Sequence, residues 1–391
     1  MRASGTPAGI NLKDGSISSQ RNIALFHDYF AIRGGGERLV LVLARELEGC
    51  TLVHGYRTQD SYDGEAFPER SVSLDLPLPF RRSGLRVMAL AAAFTRRRGW
   101  AASVPVRIFS GVAAPFAAPA KGKGGVNIFY CHTPPRFLFD QRDHFLARQG
   151  AVRGLAAGVA MRRFEKGYRA AVRRMDVVVA NSQNTRARIS RYLGRDSVVV
   201  PPPVDTDEFS WGGQGDYYLS TARLTPLKQV DRIVEAFREM PDRKLVVVSG
   251  GEELEVLTRR AAGAPNITFR GWVDDAELRA LVGNAIATVY LPLDEDFGMS
   301  PVESMAAGKP VIGVAEGGLL ETVLPDETGV LLPPDFSNDQ LKQAVAAMTP
   351  QRAAAMRAAC EARAQAFTRE KFVAGMKAVI EEALRQAARK A

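Results

Sequence analysis

Short apolar runs that stop at polar pairs or glycines alternate along this chain with longer stretches whose apolar positions recur at helical spacing. Residues 22–28, NIALFHD, have the length and polar stop of a first buried strand in a parallel sheet. YFAIRGGGERLVLVLARELEG follows, a glycine loop opening a helix, and that order brings backbone N–H groups close to a phosphate. Gly34, Gly35 and Gly36 do not spell GxGxxG, so no dinucleotide site is indicated. An ordinary tight strand-to-helix turn accounts for the same residues. TLVHGY (51–56), SVSLDL (71–76), VNIFYCH (126–132) and DVVVANS (176–182) read as further strands.

SVVVPPPVDTDEF (197–209) closes this half, and its prolines with the following WGGQGD place a domain boundary at roughly 201–215. A regular alternation then begins: strand YYLSTA, helix VDRIVEAFREM, strand KLVVVSG, helix EELEVLTRRAAG, strand ITFRGW, helix DDAELRALVGNA, strand IATVYLPL, helix PVESMAAG, strand PVIGVA. Strands alternating with helices predict a doubly wound parallel sheet. The expected organisation is a loose tail over 1–20, a first domain over 21–205 and a second over 206–365. A basic helix over 366–391 is expected to pack back on the first domain.

Composition narrows the class. With 391 residues, 46% hydrophobic and 24% charged, the chain is a folded protein with room for two cores. Its three cysteines, Cys50, Cys131 and Cys360, lack CxxC spacing and point to a reducing compartment. No apolar run is long enough to span a bilayer, and the first twenty residues lack a signal-type core, so a cytoplasmic location is expected. Residues 1–200 hold 31 Lys+Arg against 15 Asp+Glu, whereas the remainder is mildly acidic. Two segments stand out: 81–100 is apolar in the middle and basic at both ends, and 153–174 carries its arginines and lysine at helical intervals beside Met161, Phe164 and Tyr168. They suit an anionic membrane surface, or else a solvated helix face whose apolar side packs on the core. No helix-turn-helix, zinc or RNA-binding motif accompanies the charge, so nucleic acid is not expected as a partner.

Candidate chemistry gathers in DEDFGMSPVESMAAGKPVI, Asp294 to Ile312. Ser300, Pro301 and Glu303 fit the N-cap, first and third helical positions of a capping box, so Glu303 either caps its own helix or meets a ligand. The helix start beside Phe297 and Gly298 would favour an anion. In a doubly wound sheet, ligands bind beyond the carboxyl ends of strands. That selects His27, Asp28, the glycine loop, His132, Asn181, Ser182, Arg223, Asp294 to Gly298, Gly317 and Gly318. They come from both halves, which predicts an interdomain cleft. Arg223 and Lys228, five apart before a helix, suit a diphosphate, with Arg as fork and Lys as point charge, though surface charges look the same in sequence. Asp294 and Asp296 form a D-x-D, but the adjacent helix start already supplies positive potential, so no metal is expected.

STARLTPLKQVDRIVEAF, ITFRGWVDDAELRALVGNA and EDFGMSPVESMAAGKPVIGVAEGGLLETV together resemble the nucleotide-sugar domain of retaining glycosyltransferases of family 4, whose fold of two facing Rossmann-like units is called GT-B. The GGGE loop and YCHTPPRFLFD resemble the mannosyltransferase branch that builds bacterial O-antigen and exopolysaccharide. The resemblance implies that Arg223 and Lys228 hold the donor diphosphate and that Glu303 bonds the ribose. Glu295 would contact the transferred sugar, with N–H groups around Phe297, Gly298, Met299 and Ser300 on sugar and phosphate. His132 would sit near the reacting carbon, Gly35 and Gly36 over the phosphates, and residues near Val273 against the base. Asp28 and Asn181 join them as binding candidates. Met299 and the STARL stretch depart slightly from the family pattern without removing a polar group.

The same resemblance implies retention of anomeric configuration by front-face attack on an oxocarbenium-like centre, with GDP-mannose as donor and UDP-sugars next. The two basic amphipathic segments point to a lipid-linked saccharide, presented at the inner membrane face, as the expected acceptor. A nucleotide-sugar epimerase, a phosphorylase and a non-catalytic nucleotide-sugar-binding protein share the fold and stay open as alternatives.

Overall fold

The computed structural model describes residues 22–390 except 59–60, 63, 82–84, 123 and 148–150. The expected tail over 1–20 lies outside the described residues. Thirteen strands are present among them. They are β1 (Ile23–His27), β2 (Cys50–His54), β3 (Ser71–Ser73), β4 (Val106–Ser110), β5 (Val126–Cys131), β6 (Val177–Ala180), β7 (Val198–Val199), β8 (Tyr217–Ser220), β9 (Lys244–Val248), β10 (Ile267–Gly271), β11 (Thr288–Tyr290), β12 (Val311–Val314) and β13 (Gly329–Leu332). One sheet runs β3-β2-β1-β4-β5-β6-β7 and the other β10-β9-β8-β11-β12-β13. Parallel strands joined by helices must be covered on both faces, which is why β1, β4 and β5 are buried at every residue.

The chain forms two compact units: the stretch up to Val179 with Val373 onward, and Ala180–Phe372. The division falls inside β6, upstream of the proline run. Local bonding explains it: Ser182 Oγ donates to the Asp296 carbonyl at 2.5 Å and the Asn184 amide to the Glu295 carbonyl at 3.0 Å.

In the first unit, β4 is a strand that the apolar pattern does not announce. Its run is broken by Arg107, which nevertheless lies at 0% exposure in the middle of the sheet. Burial pushes its guanidinium down to about 10, opposed by the charge of Asp176. The segment 81–100 is not one helix, since Leu78–Arg81, Arg86–Arg96 and Arg98–Ala101 are separate. The 153–174 segment lies in a single helix, Ala151–Arg173, but Met161, Phe164 and Tyr168 are core residues. Those three side chains pack inward and are not available to a membrane, whereas Val159 on the same helix is exposed. No helix among the described residues is long and apolar enough to cross one.

The second unit fills its sheet faces with the helix Val230–Arg238 and with Met299–Ala306, whose buried side chains join one core with Tyr218, Val289 and Ile312. That packing fixes the loops after β8 and β11, where the charged candidates lie.

Candidate active site

After β8 the chain runs through the exposed Arg223 to a short turn, Pro226–Lys228, and then Gln229 at φ +48° leads into the helix Val230–Arg238. The loop after β11 is tied to this turn, because the Leu293 amide donates to the Leu227 carbonyl at 2.8 Å. The tie brings Lys228 and Glu295 together. Lys228 Nζ lies 2.5 Å from Glu295 Oε2 and 3.0 Å from Tyr290 Oη. The Tyr290 hydroxyl donates to the same Glu295 oxygen at 2.8 Å. Burial holds the Tyr290 phenol well above its ordinary value, reinforced by the charges of Glu295 and Glu303. Sequence reasoning passes over Tyr290, since a tyrosine ending an apolar strand looks like core.

Glycines shape the loop itself. A Cβ on Gly317 would lie 2.3 Å from the Glu295 carbonyl oxygen, and one on Gly318 2.3 Å from Phe297 Cα, so Glu295 to Phe297 can pass only over glycines. The Gly318 amide donates to the Glu295 carbonyl at 2.8 Å, and the buried Phe297 ring packs edge-on against Phe367.

The helix here does not start as the sequence suggests. It spans Met299–Ala306, and its N-cap is Gly298 at φ +92°, a residue with no side chain to cap with. Ser300 and Glu303 therefore form no capping box. Gly298 turns the chain into the helix two residues earlier, which leaves Ser300 inside the first turn and Glu303 beyond it. The half-buried Glu303 carboxylate lies within electrostatic reach of Tyr290 instead.

Asp294 is exposed at φ +51°, and its amide donates to Glu316 Oε1 at 3.0 Å. Asp296 Oδ1 lies 3.8 Å from Arg188 Nε. Among the described residues no three His, Cys, Asp or Glu are grouped as metal ligands. Asn181 is buried, and its neighbour Ser182 caps the helix Gln183–Leu193 by accepting from the Thr185 amide. Val273 is half-buried against the core, whereas the adjacent Trp272 is 73% exposed, its indole lying against Gly250.

The first unit carries a second group. The helix Gly35–Glu46 begins at Gly35 with Gly34 as N-cap and no side-chain cap bond, the strand–loop–helix order the pattern implies. Gly36 lies against His132, since a Cβ there would be 3.4 Å from the ring's Cε1. His132 Nε2 is 2.7 Å from Ser110 Oγ, which is 3.2 Å from His27 Nδ1. Burial holds His132 down at about 4 and His27 at about 3, the latter helped by His132 and His54. Asp28 is turned to other work: its carboxylate accepts from the amides of Val112, Ala113 and Ala114 at 2.7–3.1 Å. Burial pushes that carboxyl up to about 6 against the pull of the three donors.

Comparison with known proteins bears on the family and the fold. The model for Glycosyltransferase Family 4 matches residues 33–208, and that for Glycosyl transferases group 1 matches 205–367. The GDP-mannose-dependent alpha-(1-6)-phosphatidylinositol monomannoside mannosyltransferase of Mycolicibacterium smegmatis is 34% identical over 48% of this chain and 58% of its own. Alpha-1,3/1,6-mannosyltransferase ALG2 of Dictyostelium discoideum is 26% identical over 54% and 60%. The matched stretch thus spans little more than half the length of these relatives. Among solved structures, sucrose-phosphate synthase from Thermosynechococcus elongatus aligns with TM-score 0.74 at 20% identity, over 94% of this chain and 100% of its own. Anabaena Alr3699/HepE in complex with UDP and glucose aligns with TM-score 0.69 at 18% identity, over 91% and 98%. With two such parallel sheets, and with both family regions in sequence from residue 33 to 367, the chain belongs to the family 4 glycosyltransferases of GT-B fold.

Proposed function

We propose that this chain is a retaining mannosyltransferase that transfers mannose from GDP-mannose to a lipid-linked saccharide acceptor in bacterial surface polysaccharide synthesis. The observation that carries the donor site is the Lys228–Tyr290–Glu295 cluster beside the Gly298 helix start. An ammonium already 2.5 Å from a carboxylate is placed to exchange that partner for a diphosphate. Arg223, exposed on the same loop, adds a forked contact, and the amides of Phe297, Gly298, Met299 and Ser300 meet phosphate and sugar. Glu295, released from Lys228, takes the sugar hydroxyls, and Glu303 takes the ribose. Val273 and the broad face of Trp272 serve the base. The GDP-mannose in the names of the mycobacterial relatives supports this donor.

In the first unit His132 serves the transferred sugar, and the free amides at Gly35 and Gly36 serve the phosphates. Asp28 acts by holding residues 112–114 in place, and Asn181 by backing the start of its helix. Catalysis is electrostatic: the cations stabilise charge developing on the departing diphosphate, whose oxygen takes the acceptor's proton during front-face attack. No metal is required by this scheme. Membrane association, at an anionic inner surface, runs through exposed arginines such as Arg162 and Arg163 and not through the buried Met161, Phe164 and Tyr168.

The test is a thermal-shift screen with GDP-mannose, GDP and UDP-sugars, followed by transfer assays with radiolabelled donor. Stabilisation by GDP-mannose above the UDP-sugars is expected. A preference for a UDP-sugar would overturn the donor assignment, and epimer formation without acceptor would overturn transfer itself.

A further inference from the structure

The loop that carries Glu295, Phe297 and Gly298 is held from two sides. On one side the Gly318 amide donates to the Glu295 carbonyl at 2.8 Å. On the other stands the first turn of the helix Gln183–Leu193. The Asn184 side-chain amide donates to the same Glu295 carbonyl at 3.0 Å, and Ser182 Oγ, 114 positions earlier, lies 2.5 Å from the Asp296 carbonyl oxygen. A carbonyl oxygen can only accept, so the serine proton belongs to that contact. The contact of the same hydroxyl with the Asn181 amide, at 3.3 Å, is the weaker one. Ser182 Oγ also accepts from the Thr185 amide at 2.9 Å, so one buried hydroxyl caps its helix and grips the loop. A trans peptide is planar, with its C=O and N–H on opposite sides. Fixing the Glu295 carbonyl therefore aims the Asp296 amide, and fixing the Asp296 carbonyl aims the Phe297 amide, away from this helix start.

The helix start is itself anchored to the opposite support. Both oxygens of the Glu321 carboxylate accept from it, Oε2 from the Gln183 amide at 2.7 Å and Oε1 from the Asn184 amide at 2.8 Å. An anion at unpaired helix amides is favoured by charge as well as by hydrogen bonding. Glu321 lies in the short helix Leu319–Thr322 that Gly318 opens, and Arg363 donates to the carbonyls of Glu321 and Thr322. Loop, helix start and glycine turn thus close into one ring of contacts within the second unit.

We propose that Ser182 and Asn184 are positioning residues that aim the amides of the Asp296–Gly298 stretch and the carboxylate of Glu295 at the sugar-nucleotide donor. Each acts through a backbone carbonyl and not by touching the donor. Their target rests on the donor site assigned above, whereas the clamp stands on hydrogen bonds within this unit.

The clean variant is Asn184→Ala, because the residue is half-buried at the second position of its helix and its loss leaves the Ser182 cap in place. Ser182→Ala removes the cap as well and is the harsher check. Hydrogen exchange read by peptide mass spectrometry on the full chain without ligand tests the clamp. The bonded amides of Leu293, Asp294 and Gly318 should exchange about tenfold faster in Asn184→Ala, the size of one lost hydrogen bond, with the strand Lys244–Val248 unchanged. Unchanged exchange in the loop, or acceleration that spreads to Lys244–Val248, overturns the proposal. Calorimetry supplies the second arm. Asn184→Ala should weaken GDP-mannose about tenfold, while GMP, which lacks the outer phosphate and the sugar, competes as well as it does in the parent. Intact GDP-mannose affinity despite faster exchange, or equal loss of both ligands, removes the positioning role. A parent chain that never binds GDP-mannose would sink the donor assignment instead, with hydrogen exchange still deciding whether the clamp holds the loop.

Discussion

Two hydroxyl groups in this molecule do the same job in opposite surroundings. Ser110 links two histidines at strand ends of the first unit, and Tyr290 links Lys228 to Glu295 at a strand end of the second. Around Ser110 desolvation dominates, and the histidines lose their charge. Around Tyr290 the cation and the carboxylate neutralise each other at 2.5 Å and remain partly exposed. The difference is one of charge: the first group is uncharged and directional, and the second holds a cation and a carboxylate side by side.

The largest expected effect comes from breaking the charged group. Lys228→Ala should lower transfer by about 10²- to 10³-fold, the cost of removing one electrostatic stabiliser from a transition state, with the fold intact by circular dichroism. A near-normal rate in radiolabelled-donor assays would remove Lys228 from the mechanism. Tyr290→Phe should cost about tenfold, because Lys228 and Glu295 lose their shared hydroxyl but keep each other. Glu303→Gln should weaken donor affinity with little change in melting temperature, since the helix starts at Gly298 and not at a Ser300–Glu303 capping box.

Acid tests the neutral group. The folded values of His27 and His132 lie below the unfolded value of 6.5, so folding excludes protons that the unfolded chain would bind. Their contribution is fully present above about pH 6.5 and is lost as pH falls towards about 4. Asp28, raised to about 6, works in the opposite sense and softens the loss. Thermal unfolding between pH 7 and 4.5 should therefore show a midpoint falling by several degrees, roughly 2–4 °C per kcal/mol for a unit of this size. A Ser110→Ala chain should show the same window, because burial and not the serine sets it.

The smallest effect is the most diagnostic for the helix start. Ser300→Ala should change stability by no more than about 0.5 kcal/mol, whereas Gly298→Ala should cost about 1–2 kcal/mol, because φ +92° excludes an ordinary side chain. Equal effects in denaturant titrations would restore the serine cap.

Much of this was readable in the sequence. Periodicity located most strands, the alternation after residue 215 gave the second sheet, and Glu295, Glu303, Arg223 and Lys228 stood out by motif. β4 was not readable, because an arginine in the middle of a strand breaks the apolar run. Carbonyls of Ala101 and Gly124 lie near its guanidinium there, and the charge of Asp176 opposes the cost of burial. The capping box misled for a related reason. Ser-x-x-Glu is a local pattern, and the helix start was decided by Gly298 and by Gly317 and Gly318 packing twenty residues downstream.

The sequence by itself determined the parallel α/β class and the identity of the charged residues, since both depend on spacing and residue type within short windows. The tertiary structure alone decided that Tyr290 joins Lys228 to Glu295 and that Ser110 stands between two histidines. Those partnerships arise from strand order, which brings residues 83 positions apart to within one hydrogen bond. Burial, which sets their charge, is a property of that packing and is not encoded at any single position.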